Sequence, residues 1–162
     1  HDSSSVTYPV FTAIAAPEVQ NKLNGDFAII AGPYLQNLAT GGCELDYTLT
    51  FVSEKFISMV FFGVLDEGEK EIFAKIPLNI DVQTGAQLAL GDVLNLRDAD
   101  LLPVLRLLTK KDKVDFSKGI PESWYYNGTN FVFCQRSETG EWLEATVAAS
   151  DLKKFLLKPE LF

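Results

Sequence analysis

Ile76 to Leu94 reads IPLNIDVQTGAQLALGDVL. It opens as a strand, turns tightly at Gln83-Thr84-Gly85 and ends in a short helical piece entered through Gly91-Asp92. A period of two ending in a Gly-bearing turn and then giving way to helix marks a point where sheet meets helix. The flanking segments read as elements packed around it.

Upstream, Leu45, Tyr47, Leu49 and Phe51 alternate with Asp46, Thr48, Thr50 and Val52, the pattern of a half-buried strand. Ser53-Glu54-Lys55 makes a hairpin turn. Phe56 to Leu65, FISMVFFGVL, is apolar on both faces, as in a central strand covered on each side. Asp66-Glu67-Gly68-Glu69-Lys70 is a charged loop, and Ile72, Ala74, Ile76, Leu78 and Ile80 alternate again. Three successive strands with short links form an antiparallel meander.

Before the meander, Val19, Leu23, Phe27, Ile30, Tyr34 and Leu38 recur at steps of three and four, the stripe of an amphipathic helix. Pro17 suits its first turn, Gly32-Pro33 is expected to kink or restart it, and Gly41-Gly42 ends it. Val6 to Ala13 reads as a short strand, with Pro9 confining it to an edge or a strand start.

After the opening stretch, Leu94 to Thr109 reads as helix capped by Asp98. Asn127-Gly128, between Trp124-Tyr125-Tyr126 and Phe131-Val132-Phe133, predicts a type I′ hairpin with positive φ at both central residues. Leu143 to Ala149 is a last strand, and Ser150 caps a closing helix that turns Leu152, Phe155 and Leu156 inward. No βαβ rhythm is present. The expected class is α+β: a mainly antiparallel β-meander sheet with helices packed on it. Residues 6–162 read as a single domain, and residues 1–5 as a disordered terminus, either a cloning scar or a trimmed linker after a removed signal or lipid anchor.

Composition narrows the function. The chain has 162 residues, 47% of them hydrophobic, with 12 Phe and a net charge of −8. Such an acidic chain lacks the basic patch that nucleic acid requires, and no apolar run is long enough to span a bilayer. Its charge favours a basic partner or is simply a solvated surface. The one histidine is His1, which removes His-based nucleophilic catalysis and the common zinc ligand sets. No buried carboxylate pair is evident for glycoside chemistry. Asp98 and Asp100, or Asp112 and Asp115, offer oxygens to calcium without the spacing of a dedicated loop. No catalytic residue, metal or cofactor is therefore assigned. Binding candidates are the acidic loop residues Asp66, Glu67 and Glu69 and the aromatics Trp124, Tyr126 and Trp142, of which alternation turns either Tyr125 or the Trp124/Tyr126 pair outward. Cys43 and Cys134 stand either as a disulfide, closing a loop of about 90 residues for about 4–5 kcal/mol, or as two buried thiols.

The order of elements resembles the bacterial DUF3298 family. The resemblance rests on Tyr8-Pro9-Val10, a helix carrying Asn24, the meander, Asn79-Ile80-Asp81 with Thr84-Gly85, and Leu90-Gly91-Asp92-Val93-Leu94. Trp124-Tyr125-Tyr126, Phe131-Val132-Phe133 and Asp151-Leu152-Lys153 continue it. The first part is similar to the DUF4163 segment that often precedes DUF3298. That pair occurs in the ectodomain of a lysozyme-sensing anti-sigma factor and beside peptidoglycan deacetylase domains. The resemblance implies an extracytoplasmic, non-catalytic domain, secreted, lipid-anchored or on the cell surface. Its implied partner is a basic protein such as a lysozyme, or peptidoglycan. A role in cell-wall glycan processing and a purely structural spacer are the alternatives. The chain departs from the family in its Asp66–Glu71 loop, where relatives carry a Gly-Gly-Ala-His type sequence.

Overall fold

A computed structural model describes residues 4–14, 16–39, 41–66 and 71–162. The fold is α+β. A five-stranded sheet runs in the order β1 (Ser5–Val6), β2 (Cys43–Val52), β3 (Phe56–Asp66), β4 (Glu71–Asp81), β5 (Ala86–Gln87). The expected meander is β2-β3-β4, antiparallel throughout. A second sheet holds β6 (Ser123–Tyr126), β7 (Asn130–Arg136) and β8 (Trp142–Ala148), also antiparallel.

Alternation along β3 assigns its two faces. Ile57, Met59 and Phe61 pack with Val19, Leu23, Phe27, Ala31 and Tyr34 of helix α1 (Pro17–Asn37). Phe56 belongs instead to a second core with Trp124, Tyr126, Phe131 and Phe133 of the small sheet and with Leu101 and Leu105 of helix α3 (Leu101–Leu108). This explains why FISMVFFGVL shows no alternation: both faces of its first half are buried, Phe56 to Phe61 without exception.

Helix α1 runs as a single element through Pro33 and does not restart there. Its buried face passes through Ala31 rather than Ile30. The hydroxyl end of the Tyr34 ring lies against Gly63 of β3, where any Cβ would overlap it, so this position requires glycine. The strand expected over Val6–Ala13 shrinks to Ser5–Val6, paired parallel to Glu44–Leu45. Beyond it the backbone of Phe11 is held by the Asn24 side chain, which accepts from its N–H at 2.8 Å and donates to its carbonyl at 2.9 Å. A helix side chain thus replaces a neighbouring strand. Ser4 and Ser5, expected in a disordered terminus, belong to the fold: Ser5 is in β1, and the Ser4 hydroxyl accepts from Cys43 N–H.

Three further expectations change. A register shift between Leu49 and Phe51 turns Phe51 from the α1 side to the other face, where it packs on Phe56 and Tyr126. The Leu94–Thr109 helix is shorter. Leu94 bridges Leu156, Asp98 serves a turn, and the helix starts at Leu101. The Asn-Gly hairpin forms one residue out of the expected register. Asn127 pairs with Asn130, only Gly128 has positive φ (93°), and the Asn127 side chain accepts from the N–H groups of Thr129 and Asn130. Positive φ at the first central residue alone is the II′ pattern. The closing helix is of 3-10 type, Ala149–Phe155, with Leu152 and Phe155 buried as expected.

Candidate functional site

The opening stretch proves to be architecture. Asn79 is buried, accepts from Ser58 Oγ at 2.7 Å and donates to Trp124 O at 2.7 Å. Ser58 Oγ in turn accepts from Tyr126 N–H at 2.8 Å, and Thr50 Oγ1 donates to Tyr126 O at 2.7 Å. Three side chains on the face of the large sheet therefore satisfy the free edge of β6, and the small sheet stands edge-on against the large one. Asp81 accepts from Gln83 N–H at 2.9 Å and shapes the turn. Asp92 accepts from Ala89 N–H at 2.8 Å at the start of helix α2 (Leu90–Val93).

The small sheet covers only one half of that face. At the other half, Phe62 and Phe73 are 44% and 52% exposed. Cross-strand pairing sets Phe62 beside Asp46 and Lys75, and Val64 beside Glu44 and Phe73. With half-buried Trp142 from β8 these residues line a groove of about 430 Å³ in the angle between the sheets. Glu44 and Asp46 stand exposed at its rim without an ion-pair partner among the described residues. The indole Nε1 of Trp142 is buried without a hydrogen-bond partner among the described residues.

Where the sheets meet, Lys75 bonds Glu144. Its ammonium lies 5.6 Å from the Phe62 ring centre and 5.5 Å from that of Tyr125, within cation–π range. Tyr125 donates to Glu144 at 3.0 Å. Burial first, then the hydrogen bond and charge of Glu144 and the charge of Cys134, raise the Tyr125 pKa. Burial also pushes the Cys134 thiol up to about 12, against the pull of Lys75 and with a further push from Glu144. Burial therefore holds the phenol and the thiol in their neutral forms beside the Lys75–Glu144 ion pair.

The expected site residues separate. Trp124 and Tyr126, taken as binding aromatics, are 2% and 4% exposed and form the second core, where their rings pack on Phe56 and Phe131. They are unavailable to a partner; Tyr125 is the one turned outward. Trp142 lines the groove. Asp66 is exposed at the end of β3, while Glu67 and Glu69 lie outside the described residues. Cys43 and Cys134 form no disulfide. Cys43 sits in the α1 core and donates to Tyr34 O at 3.2 Å, whereas Cys134 lies in the other sheet near Glu144. The acids considered for calcium have other duties: Asp98 accepts from Asp100 N–H, Asp100 pairs with Lys154 and Asp115 accepts from Ser117 N–H. Among the described residues no cluster of three His, Cys, Asp or Glu is placed to hold a metal ion, and no helix is long and apolar enough to cross a membrane.

Phe62, Phe73, Lys75, Glu44 and Asp46 were not singled out by sequence. One signal was available: in the alternation of β4, Phe73 falls on the side shared with Lys75, opposite Ile72, Ala74 and Ile76. Exposed aromatics that adjoin, as Phe62 and Phe73 do, make a patch of the kind that marks interaction surfaces, whereas a single one does not.

No protein-family model and no curated protein sequence matches the chain. Among solved structures it is similar to a DUF3298 family protein from Pseudomonas aeruginosa PAO1, at 15% identity and a TM-score of 0.61, over 90% of this chain and 83% of that one. It is also similar to a DUF3298 family member from Bacteroides fragilis, at 14% identity and a TM-score of 0.54, over 86% of this chain and 66% of that one. In fold, therefore, the chain resembles the proteins of the DUF3298 family, as its order of elements implied.

Proposed function

We propose that this is a non-catalytic, extracytoplasmic binding domain that recognises a basic protein, such as a lysozyme-like hydrolase, or a cell-wall component, through the groove between its two sheets. The observation that carries the reading is the bare half of the large sheet: Phe62 and Phe73 exposed beside Trp142, under a rim of unpaired Glu44 and Asp46. Exposed aromatics give contact area at small entropic cost. An acidic rim on a chain of net charge −8 steers a basic partner and makes its association salt-dependent.

The test is a calorimetric titration of the domain with a basic lysozyme and, separately, with a peptidoglycan digest, each at low and high salt. Saturable binding to either, lost on Phe62→Ser, is the expected result; for lysozyme it weakens as salt rises. No heat from either ligand, or binding indifferent to Phe62→Ser, contradicts the reading.

A further inference from the structure

β4 has a partner on one side along its whole length and on the other only at its end. β5 pairs with Ile80 and Asp81, and Leu88 N–H donates to Asn79 O. From Glu71 to Leu78 no strand covers the outer edge among the described residues. The Leu88 bond also fixes the register. Asn79 turns its carbonyl outward, so by the period of two Pro77, Lys75, Phe73 and Glu71 present their backbone groups at this edge. Pro77 lacks an N–H and ends the run. The open edge is Glu71-Ile72-Phe73-Ala74-Lys75.

We propose that this edge pairs antiparallel with the same edge of a second copy, about a two-fold axis at Phe73. The segment is complementary to itself. The axis sets Phe73 against the partner's Phe73 and Ile72 against the partner's Ala74, and leaves Glu71 opposite a lysine whose ammonium stays on Glu144. Aromatic cross-strand pairs are among the stabilising ones. The outward groups of residues 71, 73 and 75 supply the ladder of hydrogen bonds.

Two observations single out this edge. Exposed edges are ordinarily blunted by outward lysines, but the lysine here is folded back onto Glu144, its side chain 11% exposed, leaving Phe73 at 52% as the outermost large group. The opposite edge, β2, is guarded: the Asp46 carboxylate accepts from Tyr47 N–H at 2.8 Å and occupies a group that a further strand needs. A two-fold axis perpendicular to the sheet places both grooves on the same side of one continuous ten-stranded sheet, giving a bivalent surface.

Sedimentation velocity over a range from low to high micromolar tests the pairing. The species expected at the upper end has about twice the chain mass of 17.9 kDa. Phe73→Asp, which sets two carboxylates at the axis, should remain monomeric and should melt with wild type at concentrations low enough to keep both monomeric. Phe73→Cys should form an interchain disulfide under mild oxidation, because Cα atoms of a hydrogen-bonded antiparallel pair lie about 5.5 Å apart, inside the range a disulfide spans. Leu49→Cys, exposed on the guarded strand β2, is the control and should not. Native Cys43 and Cys134 are buried and do not interfere. A wild-type chain monomeric throughout overturns the proposal. So does a dimer that survives Phe73→Asp, or Phe73→Cys cross-linking no faster than Leu49→Cys.

Discussion

Ser58 and Phe62 lie on the same strand and the same face, four residues apart in sequence, and are 0% and 44% exposed. Around Ser58 the face of the large sheet is buried and carries a polar row among apolar residues such as Phe56 and Val60. Asn79, Ser58 and Thr50 spend their hydrogen-bonding capacity on the backbone of β6. Around Phe62 the face is aromatic and bare. In the covered half the polar row locks an edge strand in one register, because any slip leaves buried donors unmatched; in the other half Phe62 and Phe73 stand exposed.

The contrast can be broken at the covered half first. Trp124→Ala removes a fully enclosed ring from the second core and should cost about 3–5 kcal/mol in denaturant unfolding. Asn79→Ala leaves Trp124 O without its donor, and about 1–3 kcal/mol is expected. The α1 side gives a comparison of similar size. Gly63→Ala drives a methyl group into the Tyr34 ring, for about 1–3 kcal/mol, and the cost should shrink when Tyr34 is shortened to Leu as well. At the bare half, Phe62→Ser should move stability by no more than about 0.5 kcal/mol while abolishing ligand heat.

The corner between the halves gives a pH dependence. The Cys134 thiol is raised from 9.0 to about 12, so the fold favours its protonated form. The unfolded chain releases this proton first as pH climbs. Stability should hold below about pH 9 and fall between there and about 12. Cys134→Ala should make that fall shallower in urea melts, although Tyr34, Tyr125 and Tyr126, also raised by burial, contribute with the same sign.

Much of the frame was legible in the sequence. The periods of two in Leu45–Phe51 and Ile72–Ile80, the stripe from Val19 to Tyr34 and the hairpin at Asn127-Gly128 are local signals, and local signals specify elements. What failed was tertiary. Nothing near Phe51 announces the bulge that turns it over. The II′ hairpin arises because the Asn127 side chain takes two backbone N–H groups that a I′ turn would leave elsewhere. The groove was hidden for a related reason. In FISMVFFGVL a residue enclosed by a second layer and one just beyond its reach have the same composition; only the reach of the small sheet distinguishes Val60, 1% exposed, from Phe62 at 44%. Trp124 and Tyr126 were misplaced in turn, because residue type alone does not separate an aromatic core from an aromatic platform.

The most direct test of that division of labour is a paired titration. Wild type, Phe62→Ser and Asn79→Ala are each titrated with the basic lysozyme and with the peptidoglycan digest at low salt, and each is melted under the same conditions. The account predicts that Phe62→Ser loses binding and keeps its melting temperature, whereas Asn79→Ala loses several degrees and, while folded, still binds. Binding retained in Phe62→Ser and lost in folded Asn79→Ala would contradict it, and would move the recognition surface to the half that β6 covers.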